Sequence, residues 1–260
     1  MRVYILTDLE GVTGVTLWRQ TGPTHREAYL EARRLLMADI SAVVDGCVDG
    51  GANRVTVLDG HGCPYNMLPE LMHPAAEYIC GKGFPRGWGM EEGYDLGMQV
   101  GAHAMCRTAN GVLCHTQNHT TDARYFYHGR EMGEIAQGAL EMGHFGVPCV
   151  FVSGDDAACR EARDFLGEHC VTVAVKKGFG RQCASLLAPA RTGALLRAGA
   201  REAMQRAHLV PPMVLPLPIP ARVETLLEPV DDDVPASQIA ALPHRVREGV
   251  CATALDIYSF

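Results

Sequence analysis

Val3-Tyr4-Ile5-Leu6-Thr7-Asp8-Leu9-Glu10-Gly11, read with Val55-Thr56-Val57-Leu58-Asp59-Gly60-His61, decides the fold. Each stretch is a short apolar run that breaks off into carboxylates and glycine, and the second adds a histidine. Between them, His25 to Val48 carries Leu35, Leu36, Ile40, Val43 and Val44 at the spacing of one helical face. Gly50-Gly51 stops that helix. Strand, long helix and strand make a βαβ unit, which needs a parallel sheet with helices on its faces.

Outward from this unit the alternation continues. Strands are expected at Glu77–Cys80, Gln99–Ala102 and Gly111–His115. Arg124–His128 reads as a hairpin feeding a helix from Met132 to Phe145. A strand at Pro148–Ser153, a helix from Asp156 to Leu166 and a strand at Val171–Val175 follow. Pro189 suits the first turn of a helix to His208, and Met213–Leu217 and Val250–Ile257 look strand-like. The expected fold is therefore α/β, a mostly parallel central sheet flanked by helices, with a smaller C-terminal α+β portion. The proline-rich segment Pro211–Pro235 suggests a catalytic α/β domain over 1–210 and an extension over 211–260 packed on it, the two able to form a single domain.

Composition narrows the function. The 260 residues are 47% hydrophobic and 20% charged, so the chain is neither disordered nor fibrous. A net charge of −7 argues against nucleic acid as a partner. No run of about 18 apolar residues is present, which argues against a membrane span. Val3–Thr7 turns acidic at Asp8 without a cleavage site, so no signal peptide is expected and the cytoplasm is the expected location. The ten cysteines include no CxxC pair and are expected to be reduced thiols.

In open α/β sheets ligands bind beyond the carboxyl ends of the strands. Asp8 and Glu10 follow the first strand, two apart in extended chain and so facing the same way. His61 follows the second, His103 the strand near Val100, and His115 the segment after that, while Glu134 opens the next helix. Each has an ordinary explanation when taken singly: a solvated turn, a core histidine, or a helix N-terminus favoured by the dipole. Together they form a mixed carboxylate and imidazole set, the kind that zinc, manganese or iron prefers without thiolates. His119 and His128 read as surface residues, His73 precedes a proline and is given no role, and Asp155-Asp156 read as a helix cap.

Taken in order, Thr7-Asp8-Leu9-Glu10-Gly11-Val12-Thr13-Gly14, Asp59-Gly60-His61, His73-Pro74, Gly101-Ala102-His103-Ala104, Gly111-Val112-Leu113-Cys114-His115, Gly133-Glu134 and Val152-Ser153-Gly154-Asp155-Asp156 resemble the zinc-dependent D-aminopeptidases of the DppA type. The resemblance covers most of the chain. It implies an α/β fold, two zinc ions per subunit and a ring-shaped homo-decamer enclosing its active sites. Asp8 would bridge both ions, Glu10 would complete one ion's ligands, and His61, His103 and Glu134 would serve the other or divide between them. His115 would be catalytic, whether as nucleophile, oxyanion donor or proton shuttle. The substrates implied are short peptides with an N-terminal D-amino acid, such as D-Ala-D-Ala.

Three departures from the family pattern bear on this. Thr116–Asp122 is more polar and one residue longer. Gly83–Gly93, with Trp88, is expected to line the substrate entrance. The helix that usually follows the last strand in the family is expected to be absent or shortened here, which bears on the decamer. A metal-dependent amidase of another amide, a phosphoesterase, and a metal-binding homologue without catalysis are the competing readings. The absence of a P-loop or of an arginine cluster at the strand ends counts against phosphate.

Overall fold

The computed structural model describes residues 1–260 apart from Pro64, Pro85, Asp233 and Pro235; the side chains of Ala236 and Ser237 are also outside the description. Strand β1 (Arg2–Thr7) leads through a loop to helix α1 (Arg26–Asp49) and strand β2 (Arg54–Asp59). β3 (Glu77–Ile79), β4 (Leu96–Ala102), β5 (Arg124–Tyr127) and β6 (Arg130–Glu131) follow. Next come α2 (Glu134–His144), β7 (Cys149–Asp155), α3 (Asp156–Leu166), β8 (Val171–Gly180) and β9 (Cys183–Leu186). The last regular elements used below are α4 (Pro189–Arg206), β10 (Ile219–Leu226) and β11 (His244–Cys251).

The main sheet runs β3-β2-β1-β4-β7-β8-β9, parallel except for β9. Period-two alternation divides its side chains between two cores. Val3 and Ile5 face α1 and α4, while Tyr4 faces α2 and α3. Leu36, Ile40, Val43, Val44 and Cys47 of α1 are buried in the first core, in keeping with their spacing. The chain passes from β1 to β2 on one side and reaches β4 on the other, so a topological switch point lies at β1, between β2 and β4.

A second, antiparallel sheet runs β11-β10-β5-β6 and so joins strands from both sides of residue 210. It packs on α2 through Tyr127, Leu140, Ile219 and Val223. Helix α2 is thereby held on two sides, by the main sheet through Ile135 and Ala139 and by the second sheet through Ala136 and Leu140.

Three expected strands differ. Gly111–His115 is a buried loop, because Asn110 and Leu113 take left-handed backbone angles of φ 58° and 51° that no ladder accepts. Its amides bond elsewhere, Val112 N–H to Asp155 Oδ2 and Leu113 N–H to the Arg181 carbonyl. Met213–Leu217 pairs with nothing in a ladder, since the surrounding prolines remove donors. The final strand runs His244–Cys251, earlier than expected, and Ala254–Ser259 forms a 3-10 turn. Asp155 caps α3 by accepting from Ala158 N–H at 2.7 Å, as read from the sequence. All ten cysteines are free thiols, and none of the described helices is long and apolar enough to cross a membrane.

Candidate metal centre

The site forms where β1, β2 and β4 end. Gly101 (φ 79°) lets the chain leave β4 so close to β1 that a Cβ there would meet the Asp8 carbonyl at 2.2 Å. Asp8 N–H bonds the Val100 carbonyl and Gly11 N–H the Gly101 carbonyl, which fixes the two strand ends together. Asp8 and Glu10 leave β1, His61 leaves β2, His103 leaves β4, and Glu134 opens α2. With His115, all six line one cavity of about 590 Å³.

Their atoms converge. His61 Nδ1 lies 2.9 Å from Asp8 Oδ1 and 3.1 Å from Glu10 Oε2. His103 Nε2 lies 3.3 Å from both Asp8 Oδ2 and Glu134 Oε1. His115 Nε2 lies 3.8 Å from Glu134 Oε1, and its ring stacks on that of His103 at 4.0 Å. Two sets, Asp8/Glu10/His103 and His103/His115/Glu134, each bring three ligand atoms within 4.8 Å of one another.

The tautomers follow from the backbone. A carbonyl only accepts, so the imidazole nitrogen facing one carries the proton. His61 Nε2 faces the Thr21 carbonyl at 2.7 Å, His103 Nδ1 that of Ala104 at 3.0 Å, and His115 Nδ1 that of Leu113 at 2.8 Å. The opposite nitrogen of each ring is therefore the one left to take a proton or a metal, and it points toward carboxylates. Glu10 Oε2 and His103 Nε2 are buried without a hydrogen bond; their close approaches have the distance but not the angle. Three carboxylates and three imidazole nitrogens directed at one another need cations among them: protons on His61 and His103, or metal ions in their place. The donor set, with its second nitrogens fixed by carbonyls, fits a metal.

Electrostatics without an ion say the same. Burial opposes ionisation of Asp8, yet the His61 hydrogen bond and the charge of His103 hold it well below the usual carboxylate range. Burial and the Asp8 charge push Glu10 up. Burial works against protonated His61 and His103, but Glu10 and Asp8 draw the first well above its ordinary value and Glu134 the second. Burial and the His103 charge push His115 down to about 3, so it is a neutral ring with a free Nε2.

Other residues here escape a reading of the sequence. Trp18 stacks on His119 at 4.3 Å and meets His115 edge-on at 5.4 Å, and His119 pairs with Asp232 at 3.0 Å. His119 thus lines the cavity that Trp18, Trp88 and Tyr258 also line, and is no plain surface residue. Of the glycine-rich segment expected at the entrance, Trp88 reaches this cavity. His73 pairs with Asp45, and His128 bonds the Pro216 carbonyl, both away from the site. Buried Lys176 sits behind the site and donates to the carbonyls of Glu10, Val12 and Val15 at 2.6, 2.9 and 2.5 Å. The expected strand ends at Val175, one residue short of it. A lysine prolonging an apolar strand is the available signal.

The fold agrees with that of a known protein. A solved structure described as the Zn-dependent D-aminopeptidase DppA from Bacillus subtilis, a self-compartmentalizing protease, superposes with a TM-score of 0.87 over 100% of this chain and 94% of that one, at 23% identity. A curated D-aminopeptidase of Bacillus subtilis (strain 168) is 29% identical over 221 residues, 83% of this chain and 78% of that protein. The profile of the D-aminopeptidase family, peptidase family M55, matches residues 1–246, and the chain belongs to that family.

Proposed function

We propose that this chain is a metallo-aminopeptidase that hydrolyses short peptides bearing an N-terminal D-amino acid, D-Ala-D-Ala among them, at a two-zinc site. The observation that carries it is the convergence of three imidazoles and three carboxylates in one cavity of a D-aminopeptidase family member. Asp8, Glu10, His61, His103 and Glu134 would hold the ions. Asp8 is suited to bridge them, since Oδ1 faces His61 and Oδ2 faces His103. When bound, zinc supplies Lewis-acid polarisation of the peptide carbonyl and acidifies water.

The chain's own residues supply the proton traffic. His115 Nε2 is unprotonated and free, while Nδ1–H is held by the Leu113 carbonyl. It therefore acts first as acceptor, taking the proton of the attacking water, and then returns it to the amine as the C–N bond breaks. That geometry favours a proton shuttle over an oxyanion donor for His115. The amidase of another amide is the second reading, supported by the polar wall of His119 and Asp232.

Hydrolysis of D-Ala-D-Ala beside L-Ala-L-Ala, with zinc-loaded and chelated protein, tests this. Cleavage of the D-peptide alone, lost on chelation, is expected. A fully metallated protein that cleaves neither peptide refutes the substrate class. His115→Ala is expected to keep its zinc and lose about 10² to 10⁴-fold in kcat; retained activity would remove His115 from the mechanism.

The relative described as self-compartmentalizing supports assembly here too. We place this chain in a homo-oligomer, a decamer by the family resemblance. Val214, Leu217, Val246 and Val250 are exposed apolar residues suited to subunit contact. A mass of ten chains by light scattering is the expected result, and a monomer mass would refute it. Ten free thiols fit the reducing cytoplasm.

A further inference from the structure

Tyr258 lies in the 3-10 turn Ala254–Ser259, far along the chain from every residue considered a ligand. It nevertheless lines the 590 Å³ cavity, and also an adjoining one of about 50 Å³ whose walls include Asp8, His103 and Glu134. Its position is built. Ala254 and Ile257 are buried in the core between α2 and the second sheet. Asp256 accepts from Thr253 N–H at 2.8 Å and pairs with Arg86. Two residues beyond each partner, the rings of Trp88 and Tyr258 meet at 5.2 Å. The Trp88 carbonyl is itself fixed by the hydroxyl of Tyr4 at 2.7 Å, reaching up from β1. A double clasp thus joins the 86–88 segment to the 254–259 turn at the edge of the site.

Tyr258 Oη makes no hydrogen bond among the described residues. A phenol carries its proton at neutral pH. An unpaired, protonated donor on the wall of a site full of acceptors suits a ligand oxygen. We infer that Tyr258 is a further catalytic residue, its O–H donating to the carbonyl oxygen of the scissile amide as negative charge builds there, with Trp88 and the Arg86–Asp256 pair as its positioning residues. This rests on the hydrolase reading above. It divides the labour so that His115 moves the proton and Tyr258 stabilises the oxygen, a role for which His115 has no free N–H.

The test is steady-state kinetics of zinc-loaded wild type and Tyr258→Phe on D-Ala-D-Ala, with zinc content and Tm measured on both. Phenylalanine keeps the ring and its contact with Trp88, so folding is preserved. The expected result is a kcat lowered about 10² to 10³-fold with KM, zinc content and Tm unchanged. Asp256→Asn is expected to lower kcat less. It is expected to do so when Tyr258 is intact but not when combined with Tyr258→Phe, a coupling that a merely structural role would not produce. An unchanged kcat in Tyr258→Phe, beside an active wild type, overturns the inference and leaves the proposed function standing. A metallated wild type that cleaves no D-peptide overturns the proposed substrate class, and the inference falls with it.

Discussion

Asp8→Asn is expected to abolish tight zinc binding and to lower kcat/KM on D-peptides by about 10³-fold or more. Several kcal/mol of transition-state stabilisation from a metal correspond to that factor at about 1.4 kcal/mol per decade. Asp8 is singled out because its two oxygens face different histidines, His61 at 2.9 Å and His103 at 3.3 Å. No other carboxylate of the cluster contacts both. Asparagine keeps the shape, and its remaining oxygen can still accept from His61, so the metal-free fold should survive. Two readouts separate loss of the ion from loss of the fold. In chelator, the two proteins are expected to melt alike. With zinc at about a thousand times Kd, wild type gains about 4 kcal/mol and melts about 10 °C higher, whereas the variant shifts little. Zinc titration of wild type near neutral pH is also expected to release protons, because the crowded carboxylates hold His61 and His103 above their ordinary values. Accordingly, zinc affinity falls as pH falls. A variant that binds zinc with wild-type stoichiometry and turns over normally would remove Asp8 from the centre.

The candidate ligands were legible because strand ends are legible. Apolar runs ending in Asp-x-Glu-Gly, Asp-Gly-His and Gly-Ala-His mark the points where β1, β2 and β4 finish, and the switch-point rule then says that these ends share a crevice. His115 was legible only as a residue. Its segment looks like a strand, and what it forms is a loop with left-handed Arg107, Asn110, Leu113, Gln117 and Asp122. Asn110 and Asp122 are of types that accept such angles, but no local preference announces them in Arg107, Leu113 and Gln117. They are imposed by distant partners, among them Arg181, Asp155 and the cluster of Arg107 with Asp122 and His244. Trp18, His119 and Tyr258 were illegible for a related reason. They stand on loops and turns, whose approach to the site depends on how the two sheets are assembled and not on any periodicity. β10 was hidden by Pro220, which departs from the usual confinement of proline to strand edges and first positions.

Lys176→Met carries the largest expected effect on stability, a loss of about 3–5 kcal/mol and a Tm lower by on the order of 10 °C. The ammonium is buried, and burial pulls it down to about 8 against the attraction of Asp155, Asp39, Glu10 and Asp8. Methionine matches the stem and removes all three donors. The carbonyls of Glu10, Val12 and Val15 are then left without the ammonium that gathers them at the turn after β1. Those carbonyls belong to the segment that aims Asp8 and Glu10. Asp39 braces the same segment from α1 by accepting from Thr13 N–H at 2.9 Å, and it would face a site with one positive charge fewer. The loss should therefore reach the metal centre as well, weakening zinc about 10 to 100-fold without touching a ligand. Lys176→Arg tests whether charge alone suffices. A planar guanidinium cannot place three donors where a compact ammonium does, so it is expected not to restore wild-type Tm. Full stability of Lys176→Met would mean that the 10–15 turn keeps its shape through its own backbone bonds, Val12 N–H to the Leu9 carbonyl and Val15 N–H to the Val12 carbonyl. Loss of stability with undiminished zinc affinity would separate the brace from the metal centre.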